Sequence, residues 1–164
     1  MLWSSELAQH IVSLQLANRS DAHIIAKMSA ALIESGLQPT WTEARVLWHM
    51  KSKESVVLVA RNAGQLNGFA IMQFGDDTAH LNLLAVTSYA RRHGIATQLL
   101  TWLHETAIVA GTFVINLELR ATNIEAKDFY RSMGYRELGL IRRYYSGVED
   151  ALRMSRDLTV RTCA

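Results

Sequence analysis

The chain has 164 residues, of which 49% are hydrophobic and 20% charged, a composition ordinary for one globular domain with a hydrophobic core. A formal net charge of +2 and a sequence pI near 8.9 are only mildly basic, so the composition carries no signature of nucleic-acid binding. The single cysteine, Cys163, excludes a disulfide framework and a thiolate-rich metal site.

The beginning of the chain predicts a cytoplasmic location. The first ten residues include Glu6 and lack the basic region and apolar core of a secretory signal. No apolar run approaches the length of a membrane span. We therefore expect one domain over residues 1–164, with neither a membrane nor a nucleic acid as partner.

One strand and two helices are predicted in the N-terminal third. Residues 11–17 form the strand, and a helix follows over residues 21–35, with an aspartate that can cap its start and a glycine after its end. The second helix begins at a threonine cap, either Thr40 or Thr42, and runs through residue 51.

Three strands and a long helix come next. The strands cover residues 56–60, residues 66–75 and a segment that ends at Val86, with turns between them. The helix after them ends at Gly111. Its apolar face is expected to pack on the sheet and comprises Ile95, Leu99, Trp102, Leu103, Thr106 and Ala110.

The last part of the chain completes a mixed sheet. A strand over residues 113–119 makes residues 81–119 a strand–helix–strand unit of the length that joins parallel strands. A helix capped by Asn123 and two strands near residues 135–143 and 149–158 follow. The order βααβββαβαββ predicts a mixed α/β fold, with about seven strands in one sheet and about four flanking helices.

The turn between the strand that ends at Val86 and the long helix is a candidate anion site. It reads Arg91-Arg92-His93-Gly94-Ile95-Ala96 and delivers arginines to a helix N-terminus, where unpaired N–H groups and the helix dipole attract phosphate. It is neither a Walker loop nor a dinucleotide fingerprint. The residues alone support a phosphate site and an exposed basic turn equally.

Glu118 and Tyr130 are candidate proton-transfer residues. In the strand over residues 113–119 side chains alternate, so Glu118 lies opposite the apolar face, and partial burial there would raise its pKa and make it a proton acceptor. The alternative is a solvated or ion-paired glutamate. Tyr130 lies about two helical turns beyond Asn123 and could donate a proton to a leaving group, or could simply pack in the core.

The histidines show no metal-ligand spacing. His104 and Glu105 begin like a zinc-protease helix, but Ile108 stands where the second histidine would be. No serine lies in a nucleophile elbow. We therefore expect no metal.

Taken together, these residues resemble the GNAT superfamily, the GCN5-related N-acetyltransferases. Residues 91–96 match the family's acetyl-CoA motif, Q/R-x-x-G-x-G/A, within a segment of about residues 81–110, and about residues 113–135 are similar to the motif that follows it. The pattern L-E-x-R-x-x-N at residues 117–123 and the ending at residues 142–154 are most similar to bacterial ribosomal-protein-alanine N-acetyltransferases.

The resemblance implies acetyl-CoA as cosubstrate and a role for each matching residue. Backbone groups of the strand would bind the pantetheine arm, namely those of Leu84, Ala85 and Val86. The turn and the start of the helix would hold the pyrophosphate, with Arg91, Arg92, His93, Gly94, Ile95, Ala96 and Thr97. Asn123 would bind the cofactor arm. Glu118 would be the general base, acting through water, and Tyr130 would protonate the departing CoA thiolate.

The resemblance leaves the acceptor open. Residues 38–42, Gln-Pro-Thr-Trp-Thr, stand where the subgroup has a PWS-like segment, and Ser146 stands where proline is common; both regions contact the acceptor in the family. The leading acceptor is a protein or peptide N-terminal α-amine. A small amine or a lysine side chain is the alternative acceptor. The alternative function is that of a non-catalytic acyl-CoA-binding domain. The protein would be a monomer or homodimer.

Overall fold

The computed structural model describes residues 12–160, so Glu6, Cys163 and the start of the predicted opening strand at Ile11 lie outside the described residues. Within this range the predicted order and fold class are confirmed. The elements are β1 Ser13–Leu16, α1 Asp21–Leu32, α2 Glu43–Lys51, β2 Ser55–Asn62, β3 Gln65–Phe74, β4 Thr78–Val86, α3 Ile95–Ala110, β5 Val114–Arg120, α4 Ile124–Ser132, β6 Arg136–Tyr145 and β7 Glu149–Asp157.

The first two helices begin where the sequence predicts, with one difference in capping. The carboxylate of Asp21 accepts the N–H of Asn18 at 2.7 Å and pairs with Arg61 of β2, so Asp21 ties the helix to the sheet instead of capping it. In α2 the side chain of Thr42 accepts the N–H of Arg45 at 3.2 Å. Thr42 is therefore the cap that the sequence left open.

The strands form one sheet in the order β1-β2-β3-β4-β5-β7-β6. The pairs are antiparallel except β4 with β5, whose parallel pairing joins only Thr78–His80 to Val114–Asn116. This confirms the predicted parallel unit. Beyond His80 the two strands are no longer paired, so a cleft opens in the middle of the sheet.

A β-bulge lies in β4 beside this cleft. Leu83 pairs with Ile71 and Leu81 pairs with Met72, which leaves Asn82 as the extra residue. Residues two apart in a regular strand share a face, but Leu81 packs with the core under α3 and α4, while Leu83 packs with the core under α1 and α2. Because of the bulge, Leu81 and Leu83 point to opposite faces of the sheet where β4 borders the cleft.

The buried face of α3 differs in part from the predicted one. The residues it buries are Ile95, Leu99, Leu100, Leu103, His104 and Ala107. Ile95, Leu99 and Leu103 confirm the predicted face, and half-buried Trp102 packs against the same core. Thr106 is only half-buried and Ala110 is exposed, so the prediction was wrong at the end of the helix. The sequence pattern also omitted His104, which is buried with both ring nitrogens in contact, 2.9 Å from Tyr135 Oη and 3.1 Å from Arg156 Nη1, and burial lowers its pKa to about 4.

Candidate active site

A cavity of about 620 Å³ lies where β4 and β5 part. Its walls are the open edge of β4, the turn into α3, and the facing parts of β5 and α4. It is lined by every residue predicted for the site except His93, namely Leu84, Ala85, Val86, Arg91, Arg92, Gly94, Ile95, Ala96, Thr97, Glu118, Asn123 and Tyr130. His93 belongs to the same turn but is not part of the lining. The fold thus brings distant parts of the sequence to one place.

The turn into α3 has the geometry of an anion site. Arg92 and Gly94 adopt left-handed backbone conformations, with φ of 65° and 76°. No side chain caps α3, and no acidic residue lies in its first turn, so the N–H groups there are available to a ligand and the helix dipole favours a negative one. Arg91 Nε donates to Val86 O at 3.3 Å, which holds the turn against the end of β4.

Glu118 lies at the cleft with both carboxylate oxygens engaged. His80 Nε2 bonds to one oxygen, and Arg153 Nε donates to the other at 3.1 Å. Only 7% of the Glu118 side chain is exposed. The hydrogen bond with His80 nevertheless holds the pKa of Glu118 below its ordinary value, with Arg153 adding to the effect and burial opposing it. Of the two possibilities that the sequence left open, the structure therefore shows the ion-paired glutamate and not the raised pKa, because His80 and Arg153 engage both carboxylate oxygens.

His80 is a site residue that the sequence reasoning missed. His80 is the last residue of β4 that pairs with β5, where it lies opposite Asn116. Its side chain therefore reaches Glu118, two residues further along β5. The hydrogen bond to Glu118 raises the pKa of His80, although burial lowers it. A signal was present in the sequence: Thr78, His80 and Asn82 form a polar row in an otherwise apolar strand.

We expect His80→Gln to flatten the pH dependence of stability above pH 6.5. Because the pKa of His80 is raised on folding, its stabilising effect is complete below the unfolded value of 6.5 and is lost as pH rises through the folded value. Glu118 acts in the opposite sense and loses its stabilising effect as pH falls through its lowered pKa. The His80 side chain is 41% exposed, so the change should be under about 1 kcal/mol.

Urea unfolding of both proteins across the range from about pH 6 to 9 measures this difference. His104, whose pKa is lowered to about 4 in the folded state, also contributes to the pH dependence of stability near pH 6.5, but it is present in both proteins and so cancels in their difference. Identical pH profiles for the two proteins would show that His80 and Glu118 do not pair in solution.

Tyr130 projects from α4 into the cavity wall. Its ring packs edge-on against Phe129 and Tyr135, with centroids 5.2 Å and 5.4 Å away. Within residues 12–160 its hydroxyl has no hydrogen-bond partner, and burial raises its pKa above the ordinary value, so the hydroxyl keeps its proton. Asn123 caps the same helix by accepting the N–H of Ala126 at 3.1 Å.

A second cavity of about 320 Å³ adjoins the first. The residues that line both are Ile33, Asn82, Leu83, Glu118 and Tyr145. The two regions where the sequence departs from the ribosomal-protein subgroup meet here, because Gln38, Thr40, Trp41 and Ser146 all line the second cavity. Glu118 therefore lies at the junction of a large cavity and a smaller one.

The part of the chain that the structure describes contains no group of three or more His, Cys, Asp or Glu side chains placed to hold a metal ion. Over the same residues, no helix combines the length and apolar character needed to span a membrane.

Comparison with known proteins gives a consistent assignment. Residues 53–137 match the family model described as acetyltransferase (GNAT) domain. The [ribosomal protein bS18]-alanine N-acetyltransferase of Escherichia coli K12 is 36% identical over 95 residues, which are 56% of this chain and 64% of that protein. The chain thus spans less than two thirds of the curated relatives it first matches, 62–64% of their length.

Two further proteins are matched over most of their length. The N-alpha-acetyltransferase RimI of Mycobacterium tuberculosis is 33% identical over 152 residues, 89% of this chain and 92% of that protein. The solved ribosomal-protein-alanine N-acetyltransferase of Brucella melitensis has a TM-score of 0.76 at 25% identity, covering 89% of this chain and 99% of that one. With a family model that covers slightly more than half of the sequence, these matches show that the chain belongs to the GNAT family of acetyltransferases.

Proposed function

We propose that this protein transfers the acetyl group of acetyl-CoA to a primary amine, with the N-terminal α-amine of a protein or peptide as its main acceptor. The observation that carries the proposal is the position of Glu118, which lies where a large cavity suited to the donor meets a smaller one suited to the acceptor. The names of the relatives in E. coli and M. tuberculosis support the choice of acceptor, since both are named as amine acetyltransferases, one of a protein alanine and one of α-amines.

The donor would bind along the open edge of β4. Backbone groups of residues 84–86 are unpaired with β5 and can bond the amides of the pantetheine arm as an added strand would. The N–H groups of residues 92–97, with the arginines of the turn, would hold the pyrophosphate. The carboxamide of Asn123 would bond the arm with its N–H₂ group, since its oxygen already caps α4.

The chemistry requires two proton movements. Acetyl-CoA supplies a thioester, and an α-amine with a pKa near 8 is only about one tenth neutral at pH 7, so a base assists the attack. As the C–N bond forms and the C–S bond breaks, the Glu118–His80 pair takes the amine proton through water, and Tyr130 gives its proton to the thiolate sulfur. The proton on the pair is released to solvent and Tyr130 takes one up again, so the net products are the amide and the CoA thiol. The raised pKa of His80 then sets the pH above which the pair is free to accept a proton.

The test uses two peptides that differ only at the N-terminus. Both carry an internal lysine; one has a free N-terminal alanine and the other is N-formylated. We expect the enzyme with acetyl-CoA to acetylate the first at its α-amine and to leave the second unmodified, as mapped by tandem mass spectrometry. CoA is expected to inhibit by competing with the donor.

Other outcomes contradict the proposal in distinguishable ways. Acetylation of the lysine in both peptides would replace the α-amine with a side-chain acceptor. A rise in melting temperature with acetyl-CoA, without transfer to either peptide or to small amines, would indicate a non-catalytic acyl-CoA-binding domain. Neither transfer nor stabilisation would remove the donor assignment as well.

A further inference from the structure

A short segment separates the two cavities. Ile33 and Ser35 line the larger cavity, while Glu34 lines the smaller one, and Ile33 faces both. The segment follows directly after the last residue of α1, Leu32. We refer to residues 33–35 as the dividing segment, because its position decides how much space is left for an acceptor beside Glu118.

Arg120, the last residue of β5, connects the dividing segment to the sheet by hydrogen bonds. Its Nη2 donates to the carbonyl oxygens of Ile33 at 3.0 Å and Ser35 at 2.6 Å, and its Nη1 lies 3.6 Å from a carboxylate oxygen of Glu149 in β7. The carbonyls at the end of a helix carry partial negative charge, which suits a guanidinium. Arg120 ends β5 two residues after Glu118, so one strand carries both the candidate base and the contact that locates the cavity wall.

Glu34 organises the segment on its acceptor side. The buried carboxylate accepts hydrogen bonds from Ser29 Oγ at 3.3 Å, Thr40 Oγ1 at 2.9 Å and the N–H of Trp41 at 3.1 Å. These contacts close the loop between α1 and α2, so that Thr40 and Trp41 line the smaller cavity. The loop is thus internally fixed by Glu34, and Arg120 joins that fixed unit to β5.

We infer that Arg120 is a positioning residue for the acceptor, which sets the distance between the loop that lines the acceptor cavity and Glu118. The inference rests on the proposed function, in which the smaller cavity receives the amine. Arg120, Ile33 and Ser35 also line the larger cavity, so they lie at its border with the smaller one. The groups proposed to bind the donor are others, namely the open edge of β4 at residues 84–86, the turn at residues 91–97 and Asn123. Because Arg120 is not among the groups proposed to bind the donor, its loss should impair acceptor use more than donor binding.

The experiment compares Arg120→Gln and Arg120→Lys with Arg131→Gln, a matched control. Arg131 pairs with Glu137 at 3.1 Å on the surface and lines neither cavity. Kinetics with a hexapeptide that has a free N-terminal alanine should show a KM raised about tenfold in Arg120→Gln, because charge-assisted hydrogen bonds are lost. Arg120→Lys should be intermediate, since one ammonium cannot reproduce the planar fork, and Arg131→Gln should match wild type.

The donor provides the second readout. Calorimetry should give an acetyl-CoA Kd within about twofold of wild type in all three variants. An unchanged peptide KM in Arg120→Gln, or a loss of donor affinity as large as the loss of acceptor affinity, overturns the inference. If Arg120→Gln fails to fold, Arg120→Lys takes its place, and an unchanged peptide KM in that variant overturns the inference.

Hydrogen exchange separates this inference from the proposed function. If wild-type enzyme leaves the hexapeptide unmodified, the proposed acceptor is wrong, but the positioning role is still tested by the amide of Trp41. Faster exchange there in Arg120→Gln than in Arg131→Gln supports the role of Arg120, and equal exchange overturns it.

Discussion

Replacing Glu118 by glutamine should lower kcat about a hundredfold while leaving the Kd of acetyl-CoA almost unchanged, because general-base catalysis typically contributes a factor of about 10² to 10⁴. Glutamine keeps the shape of the side chain but cannot take a proton. It also leaves His80 without its anionic partner, so the pKa of His80 should fall toward its ordinary value. Single-turnover rates over a range of pH, with calorimetry for the donor, measure both effects.

Glu137→Gln is the matched control for this variant. Glu137 also pairs with two cations, Lys127 at 2.9 Å and Arg131 at 3.1 Å, but it lies outside both cavities. The control should keep the wild-type rate. Both partners of Glu118 are partly exposed and can be hydrated, so Glu118→Gln should cost no more than about 1 kcal/mol of folding free energy. A rate equal to wild type at every pH would remove Glu118 from the proton path.

Replacing Tyr130 by phenylalanine should lower kcat by about ten- to a hundredfold without weakening acetyl-CoA binding. The reduction is smaller than for Glu118 because a thiolate with a pKa near 8.5 needs only modest help to leave. Burial raises the pKa of Tyr130, so its hydroxyl stays protonated over the working pH range and is available to the thiolate, while the same shift makes it a weaker acid and limits its contribution. Folding free energy should hardly change, because the hydroxyl gives up no hydrogen bond within the described residues.

Tyr135→Phe provides the comparison. Tyr135 is also buried, but its hydroxyl lies 2.9 Å from His104 Nε2 and does not line either cavity. That variant should lose stability and keep its kcat, the reverse of Tyr130→Phe. If the two variants showed the same kcat as wild type, Tyr130 would be a packing residue only.

The sequence predicted the elements of the donor side because they depend on local patterns. Strict alternation in β5 places Glu118 and Arg120 on the face opposite Ile115 and Leu117, and the structure confirms it. The glycine in the turn before α3 marks the left-handed position that the chain adopts there. Such features need only neighbouring residues, so periodicity and turn chemistry suffice to find them.

The chemistry around Glu118 could not be read in the same way. Burial alone would raise its pKa and ion pairing would lower it, and the sequence left both possibilities open; His80 and Arg153, 38 and 35 residues away in sequence, lower it. Arg153 reaches Glu118 because β7 lies between β5 and β6, directly opposite in register. Strand order is a long-range property, and no local pattern specifies which strand lies beside β5.

By itself the sequence determined the order of helices and strands, the basic turn before α3, and the face of β5 that carries Glu118, since each follows from the spacing of residues close together in the chain. Only the tertiary structure decided where β4 and β5 part, that His80 and Arg153 flank Glu118, and that Arg120 holds residues 33–35 against the sheet. These contacts join residues 35 to 87 positions apart, so they exist only once the sheet is assembled.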